Sequence, residues 1–288
     1  MATGLLRSLL AATLLLCSAA RAEVAVTDDA GRRVALAVTA TRIVSLAPHA
    51  TELLFAAGAG NRIVGVSDYS DFPADARQLP SVGGSMQLDL ERIAALKPDL
   101  IVAWKSGNSP KQIARLRALG LAVFESEPRR FDEVATSLER LGTLAGSEQG
   151  HIEAARFRSG LAALRERYAQ RSPVTVFYQI WASPLMTLND GHIVSEAIRL
   201  CGGRNVFGQL RVLAPTVSRE AVVRADPETI FVSDERGEAI ERWRTFPRMK
   251  AVRGGHLFRI DGSVMNRAGP RLLEATETLC GHIDRARR

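Results

Sequence analysis

What this chain lacks narrows its chemistry first. It contains no G-x-S-x-G and no H-E-x-x-H, so neither the nucleophile elbow of a serine hydrolase nor the two-histidine helix of a zinc protease is present. The phosphate-loop pattern is absent too. Gly58-Ala59-Gly60 opens a dinucleotide-like motif, but the third glycine is misplaced, and the residues that follow read as a strand rather than a helix. The five histidines, His49, His151, His192, His256 and His282, are scattered, whereas a zinc or manganese centre would need several of them to converge. Aromatic residues make up only 6% of the chain, and no dense Lys/Arg run is interleaved with them. The formal net charge of +7 is therefore read as a mixed, arginine-rich solvated surface, not a nucleic-acid or anionic-lipid interface. With no catalytic residue, resident cofactor or metal site to nominate, the chain is expected not to be an enzyme.

Long apolar runs are scarce as well. The one that stands out lies at the N-terminus: Arg7 supplies a positive charge, residues 8–17 are mostly Leu and Ala, and Ala20-Arg21-Ala22 forms a small-x-small cleavage site. The run falls well short of the ~20 residues a membrane-spanning helix needs. Residues 1–22 are thus expected to be a secretory signal peptide, with the exported mature chain starting near Glu23. Leu16 before Cys17, where lipid-modified chains carry a small residue, speaks against acylation. Cysteine is the other scarce residue. Cys17 leaves with the leader, and Cys201 and Cys280 remain as an even pair in an oxidising compartment, expected to form a disulfide. They lack the close spacing of metal-binding thiolates.

What is there is an alternation of strands and helices. Residues 24–26 and 33–36 form a hairpin around Asp28-Asp29-Ala30-Gly31. Residues 42–46 are a short apolar strand, 51–57 a helix stopped by Gly58, and 62–66 the next strand. Asp89 caps a helix through Lys97, Pro98 ends it, and 99–104 is a buried strand. Ser109-Pro110 starts a helix to Leu119, followed by a strand over 121–124 and an amphipathic helix over 131–144. Such βαβα alternation predicts a parallel sheet with helices on both faces. Residues 148–170 read as one long charged helix crossing between lobes. A second alternating region follows, with strands over 174–180, 229–233 and 257–260, helices over 192–200, 219–224 and 238–242, and a closing helix over 271–286. The expected division is an N-terminal lobe over 23–146, a linking helix over 147–172 and a C-terminal lobe over 173–288.

The halves echo one another. Glu91 begins a helix that Pro98 stops before the strand 99–102, and Glu220 begins one that Pro227 stops before the strand 228–231. In each, the Glu precedes the Pro by seven positions, which points to two related lobes. At the C-terminal ends of predicted strands, where α/β sheets bind ligands, stand Pro48 and His49, Tyr69, Trp104 and Trp181.

These stretches resemble the helix-linked class of periplasmic binding proteins that serve siderophore, haem and cobalamin ABC importers, and most of all its cobalamin-binding branch. The resemblance runs from about Thr27 to the C-terminus and is carried by RIVSLAPHATELLFAA (42–57), GVSDYSDFP (65–73), LERIAALKPDLIVAW (90–104) and LCGGRNVF (200–207). It implies two Rossmann-like α/β lobes joined by one long helix, with a small molecule carried in the cleft as transported ligand rather than cofactor. Glu91 and Glu220 are implied to meet arginines of the membrane permease, and Cys201 and Cys280 to form the family's disulfide. Pro48, Tyr69 and Trp104 match shaping or aromatic positions of the cobalamin site. Met186 replaces a family aromatic, His49 a small residue, and Ser85 and Ala214 stand where a well-known relative has Trp. Trp181 could compensate from the second lobe, and Asn266 and Arg267 would meet the ligand's amides. Arg267 and Arg271 could instead form the cationic cluster that an anionic ferric siderophore requires. His49 could be an axial ligand of a corrinoid or haem metal, or a hydrogen-bonding wall residue. A monomer is expected, with no nucleic-acid partner.

Overall fold

A computed structural model of the chain describes residues 23–233 and 238–288. The expected signal peptide over 1–22 lies outside the described residues. Two four-stranded parallel sheets organise the rest. In the first, the spatial order is Ile63–Val66, Ile43–Ser45, Leu100–Trp104, Val123–Ser126. In the second it is Gly203–Asn205, Val174–Gln179, Thr229–Val232, Leu257–Arg259. Numbered within its own sheet, each runs 2-1-3-4, so the echo seen in the sequence extends to the topology.

The strands are short and apolar because helices cover both faces. Leu100 and Val102 point into one cluster with Phe124, Val134 and Leu138, while Ile101 and Ala103 point into another with Val44, Ile93 and Leu116. The second sheet divides likewise. Phe177, Ile230 and Val232 pack with Val222, Trp243 and Met249, and Val176, Tyr178 and Phe231 face Leu272, Leu279 and Ile283.

The helix Gln149–Tyr168 lies between the two sheets in sequence. Its buried residues Ala154, Phe157, Leu161, Leu164 and Tyr168 recur every three or four positions, the spacing of one helical stripe. That stripe belongs to a single apolar cluster reaching from Ile43 in the first sheet to Ile283 on the second. Both lobes therefore share core with the helix.

The two echoed helices, Leu90–Ala95 and Arg219–Ala225, match in detail. Asp89 accepts a hydrogen bond from the Arg92 amide at 2.9 Å, and Ser218 accepts one from the Ala221 amide at 3.1 Å. Each cap places its Glu, 91 or 220, at the second helical position, exposed and near the positive end of the helix dipole. Lys97 and Asp226 then take left-handed φ values of 47° and 43° immediately before Pro98 and Pro227.

Departures from the expected elements are local. The first helix begins at Pro48, three residues early, because proline fits the first helical position without losing a bonded N–H. The edge strand Gly203–Asn205 and the hairpins Gly83–Leu88 and Trp181–Met186 carry no apolar alternation. Among the described residues no helix is long and apolar enough to cross a membrane.

Cys201, at the end of the helix Ile193–Leu200, is disulfide-bonded to Cys280 in the closing helix Leu272–Arg285 across a sequence separation of 79. A Cys201→Ala/Cys280→Ala variant is expected to lose about 4 kcal/mol, the closure entropy of a loop of that length. Urea denaturation checks this, and coincident midpoints for variant and parent would show that the closed loop contributes nothing.

Candidate functional site

The order 2-1-3-4 creates a switch point in each sheet, between its first and third strands, where ligands gather outside the carboxyl ends of an open α/β sheet. In the first lobe those strands end at Ser45, leading to Pro48 and His49, and at Trp104. In the second they lead to Ile180 and Trp181, and to Ser233. All but Ser45 line one cavity of about 1010 Å³. That is at the upper end for small-molecule sites.

Pro48 and His49 reach the wall because the helix Pro48–Ala56 starts directly after the first strand. The His49 ring is buried, its Nε2 3.3 Å from Ser126 Oγ and its edge against Trp104 at 5.7 Å between centroids. Burial first, and then the Arg267 charge, push its pKa down to about 4, so the imidazole is neutral at physiological pH. Trp104 lies so close over Gly107 that any β-carbon there would collide with the indole. Asn108 accepts from the Trp104 amide at 2.6 Å and donates to the Leu46 and Ser85 carbonyls, fixing the end of the third strand.

Tyr69 is placed through its backbone. It has a left-handed φ of 64° and is 84% exposed. Buried hydroxyls flank it. Thr51 Oγ1 lies 2.8 Å from Ser45 Oγ and 3.1 Å from Ser70 Oγ, and Ser67 Oγ lies 3.3 Å from Ser70 Oγ. From the second lobe, Trp181 stands on the hairpin Trp181–Met186, 59% exposed, with its indole N–H donated to the Ser183 carbonyl. Asn266 lines the wall, but its amide is engaged there, accepting from Tyr178 Oη at 2.8 Å and donating to Ser233 Oγ at 3.1 Å.

Arg267 also lines the cavity, yet its guanidinium faces the other lobe. Nη1 is 2.7 Å from Asp71 and 3.2 Å from Glu52, and Nη2 donates to the Tyr69 carbonyl. Arg271 makes a two-pronged contact with Glu52 at 2.6 and 2.9 Å. The alternative of an open cationic cluster at these two positions is not met, because carboxylates of the first lobe take both charges. Elsewhere on the wall, Glu127 with Arg129 and Glu238 with Arg242 supply both signs. The lining is close to balanced and edged with aromatic rings.

Met186, expected at the ligand, falls outside the wall, as do Ser85 and Ala214, the two positions where a relative has Trp. Met186 sits opposite Trp181 in the hairpin, and its other edge bridges to Thr216. Ser85 offers its carbonyl to Asn108, and Ala214 packs against the apolar core. Sequence reasoning in turn passed over His192 as a wall residue. Its Nδ1 accepts from the Val194 amide at 3.2 Å as a helix cap. Burial, then Arg129, lower its pKa to about 4. Among the described residues no group of His, Cys, Asp and Glu is arranged to hold a metal ion.

Two lobes of one topology, sharing a helix and closing on a large cavity, define a binding protein architecture. Residues 43–264 match the periplasmic binding protein family, and the chain belongs to it. It is 40% identical over 234 residues to a vitamin B12-binding protein of Vibrio cholerae, covering 81% of this chain and 85% of that one. A vitamin B12-binding protein of Yersinia pestis is 39% identical over 232 residues, 80% of this chain and 81% of the relative. Among solved structures, the periplasmic vitamin B12-binding protein BtuF of Vibrio cholerae superposes with a TM-score of 0.81 at 40% identity, over 86% of this chain and 98% of that one. The periplasmic haem-binding protein RhuT from Roseiflexus sp. RS-1 shares the fold, with a TM-score of 0.76 at 24% identity over 85% and 98% of the two chains.

The two neutral imidazoles set a pH dependence. Both titrate at about 4 in the folded protein and near 6.5 in the unfolded chain. The unfolded state therefore takes up protons first as pH falls. Stability is complete above pH 6.5 and is lost between 6.5 and 4, by roughly 3 kcal/mol per group. Urea titrations at neutral pH and near pH 4.5 are expected to show that fall, and His49→Gln to remove about half of the histidine contribution. An unchanged pH dependence in the variant would mean that the fold does not lower the His49 pKa.

Proposed function

We propose that this protein is an exported carrier that captures cobalamin, or a related corrinoid, in the cleft and delivers it to an ABC importer. In this reading residues 1–22 are removed on export to the periplasm, and the lobes over 23–146 and 173–288 are joined by the linker over 147–172. The carrier acts as a monomer and performs no chemistry on its cargo. The observation that carries the reading is the cavity itself, about 1010 Å³, spanning both switch points. A corrinoid combines apolar ring faces with neutral amide side chains. Tyr69, Trp104 and Trp181 suit the ring faces by area and stacking, and Pro48, His49 and the polar wall around Asn266 suit the periphery. Neutralisation of Arg267 and Arg271 by Glu52 and Asp71 favours a weakly charged cargo over an anionic ferric siderophore. The identity to vitamin B12-binding proteins supports the same choice. The exposed glutamates Glu91 and Glu220, capped and presented alike on the two lobes, are the proposed contacts for permease arginines.

Calorimetric titration of the chain lacking residues 1–22 with cyanocobalamin, with haemin and a ferric hydroxamate in parallel, tests the cargo. One-to-one binding of cyanocobalamin alone is expected. Heat from an iron ligand and none from cyanocobalamin would move the protein to the iron-importing branch of the family. His49→Ala is expected to leave the absorption spectrum of the bound corrinoid unchanged, as fits a wall residue, whereas a shifted spectrum would assign His49 to the metal. Reversing both charges, Glu91→Lys with Glu220→Lys, is expected to abolish uptake in cells while cyanocobalamin binding persists. Undiminished uptake would remove the docking assignment.

A further inference from the structure

Every polar partner found for the Arg267 and Arg271 guanidiniums belongs to the opposite lobe. Arg267 binds Glu52, Asp71 and the Tyr69 carbonyl, and Arg271 binds both oxygens of Glu52. Glu52 lies on the helix Pro48–Ala56, with only 2% of its side chain accessible. Asp71 and Tyr69 lie on the loop that follows the strand Ile63–Val66. Phe72 on the same loop stacks beneath Arg271, 3.9 Å from guanidinium carbon to ring centre. At Gly269, between the two arginines, a β-carbon would come within 3.2 Å of the Glu52 carboxylate, so the backbone there closes directly onto the group. Two carboxylates and two guanidiniums thus form a neutral set across the lobe boundary at the edge of the cavity.

Tyr69 needs such a support. Its ring is exposed, and its backbone holds a conformation that a tyrosine adopts only when its surroundings impose it. The Ser67, Ser70 and Thr51 hydroxyls hold the loop from within the first lobe. The contact from across the cleft is Arg267 on the Tyr69 carbonyl at 3.2 Å.

We propose that Glu52, Arg267 and Arg271 form a latch that sets the angle between the lobes, and that Arg267 is a positioning residue that acts on the cargo through Tyr69. This deepens the carrier reading above and rests on it for the cargo. Both terminal nitrogens of Arg267 are engaged by the first lobe, so the residue shapes the mouth of the cleft instead of pairing with what enters. Opening the lobes breaks the latch and frees Tyr69 from its second-lobe support in one step, which couples lobe closure to the ring that would cover the cargo.

A double-mutant cycle tests the positioning role. Arg267→Lys keeps the charge and loses the fork, and Tyr69→Ala removes the ring. Each alone is expected to weaken cyanocobalamin about tenfold, the scale of one stacking aromatic. The double variant is expected to bind no more weakly than Tyr69→Ala, because residues that act as one unit are not additive. Additive losses would overturn the proposal by showing that Arg267 meets the cargo itself. The latch is read without cargo. Nitroxide labels at Lys111→Cys and Arg253→Cys report the distance between the lobes by pulsed electron resonance. A narrow distribution is expected in the parent, a broader or longer one with Glu52→Gln or Arg271→Lys, and the parental one with Tyr69→Ala. Distances unchanged in both latch variants would overturn it. Arg271→Lys serves if Glu52→Gln fails to fold, which thermal melts establish first. If the parent binds no cyanocobalamin, the cargo assignment fails, while the distance measurements still decide the latch and the cycle is run with haemin.

Discussion

One buried stripe on the helix Gln149–Tyr168 makes the rest of the architecture possible. A cleft between two bodies is a useful site only if the bodies keep their relation when it is empty. A flexible linker would leave that relation to the ligand, and each capture would then carry the entropy of ordering two lobes. Here Phe157, Leu161 and Leu164 place the helix in the same apolar core as both sheets. The lobes can rock slightly about a packed rod. They cannot swing apart without exposing core on both sides.

Within that frame, charge is handled by pairing at short range. The carboxylate of Glu52 is enclosed by two guanidiniums, and a buried carboxylate deprived of its partners is among the costlier defects a fold can carry. The result is local neutrality at the edge of a large cavity. The two buried imidazoles work in the same direction. With both uncharged through the neutral range, the wall offers hydrogen-bonding groups and ring faces rather than net charge, an environment suited to a large cargo whose polarity comes from amides.

Much of this was legible in the sequence, and the rest was hidden for identifiable reasons. Strands such as Leu100–Trp104 announce themselves as continuous apolar runs closed by a proline or a glycine, and helices such as Leu90–Ala95 by an aspartate cap. Cys201 and Cys280 were readable as a pair because nothing else was left to pair with them. Gly203–Asn205 was not readable as a strand, since a glycine, an arginine and an asparagine carry no strand pattern. Its place follows from backbone pairing to Val174–Val176. Five residues of the cavity wall, Pro48, His49, Tyr69, Trp104 and Trp181, could be nominated from strand ends alone. The function of Glu52 could not. It sits in an apolar helix, and its partners lie 215 and 219 residues away, a distance over which one sequence gives no pairing signal. Arg267 and Asn266 line the cavity, but which way their polar atoms turn is decided by neighbours on other elements. His192 was read as a helix start, and its second role at the cavity depends on a fold that only tertiary structure supplies.

The repeated topology divides the labour between two kinds of segment. The parts that match between lobes, four strands and the capped helices that carry Glu91 and Glu220, are frame. The loop carrying Tyr69 and the hairpin carrying Trp181 lie outside those matched parts and add exposed rings to the cavity wall, beside the strand-end residues Pro48, His49, Trp104 and Ser233. Change can therefore accumulate in the unmatched segments without touching the core or the paired outer faces. A scaffold of this kind can be retuned from one bulky cargo to another while its two sheets and the helix between them keep the same shared core.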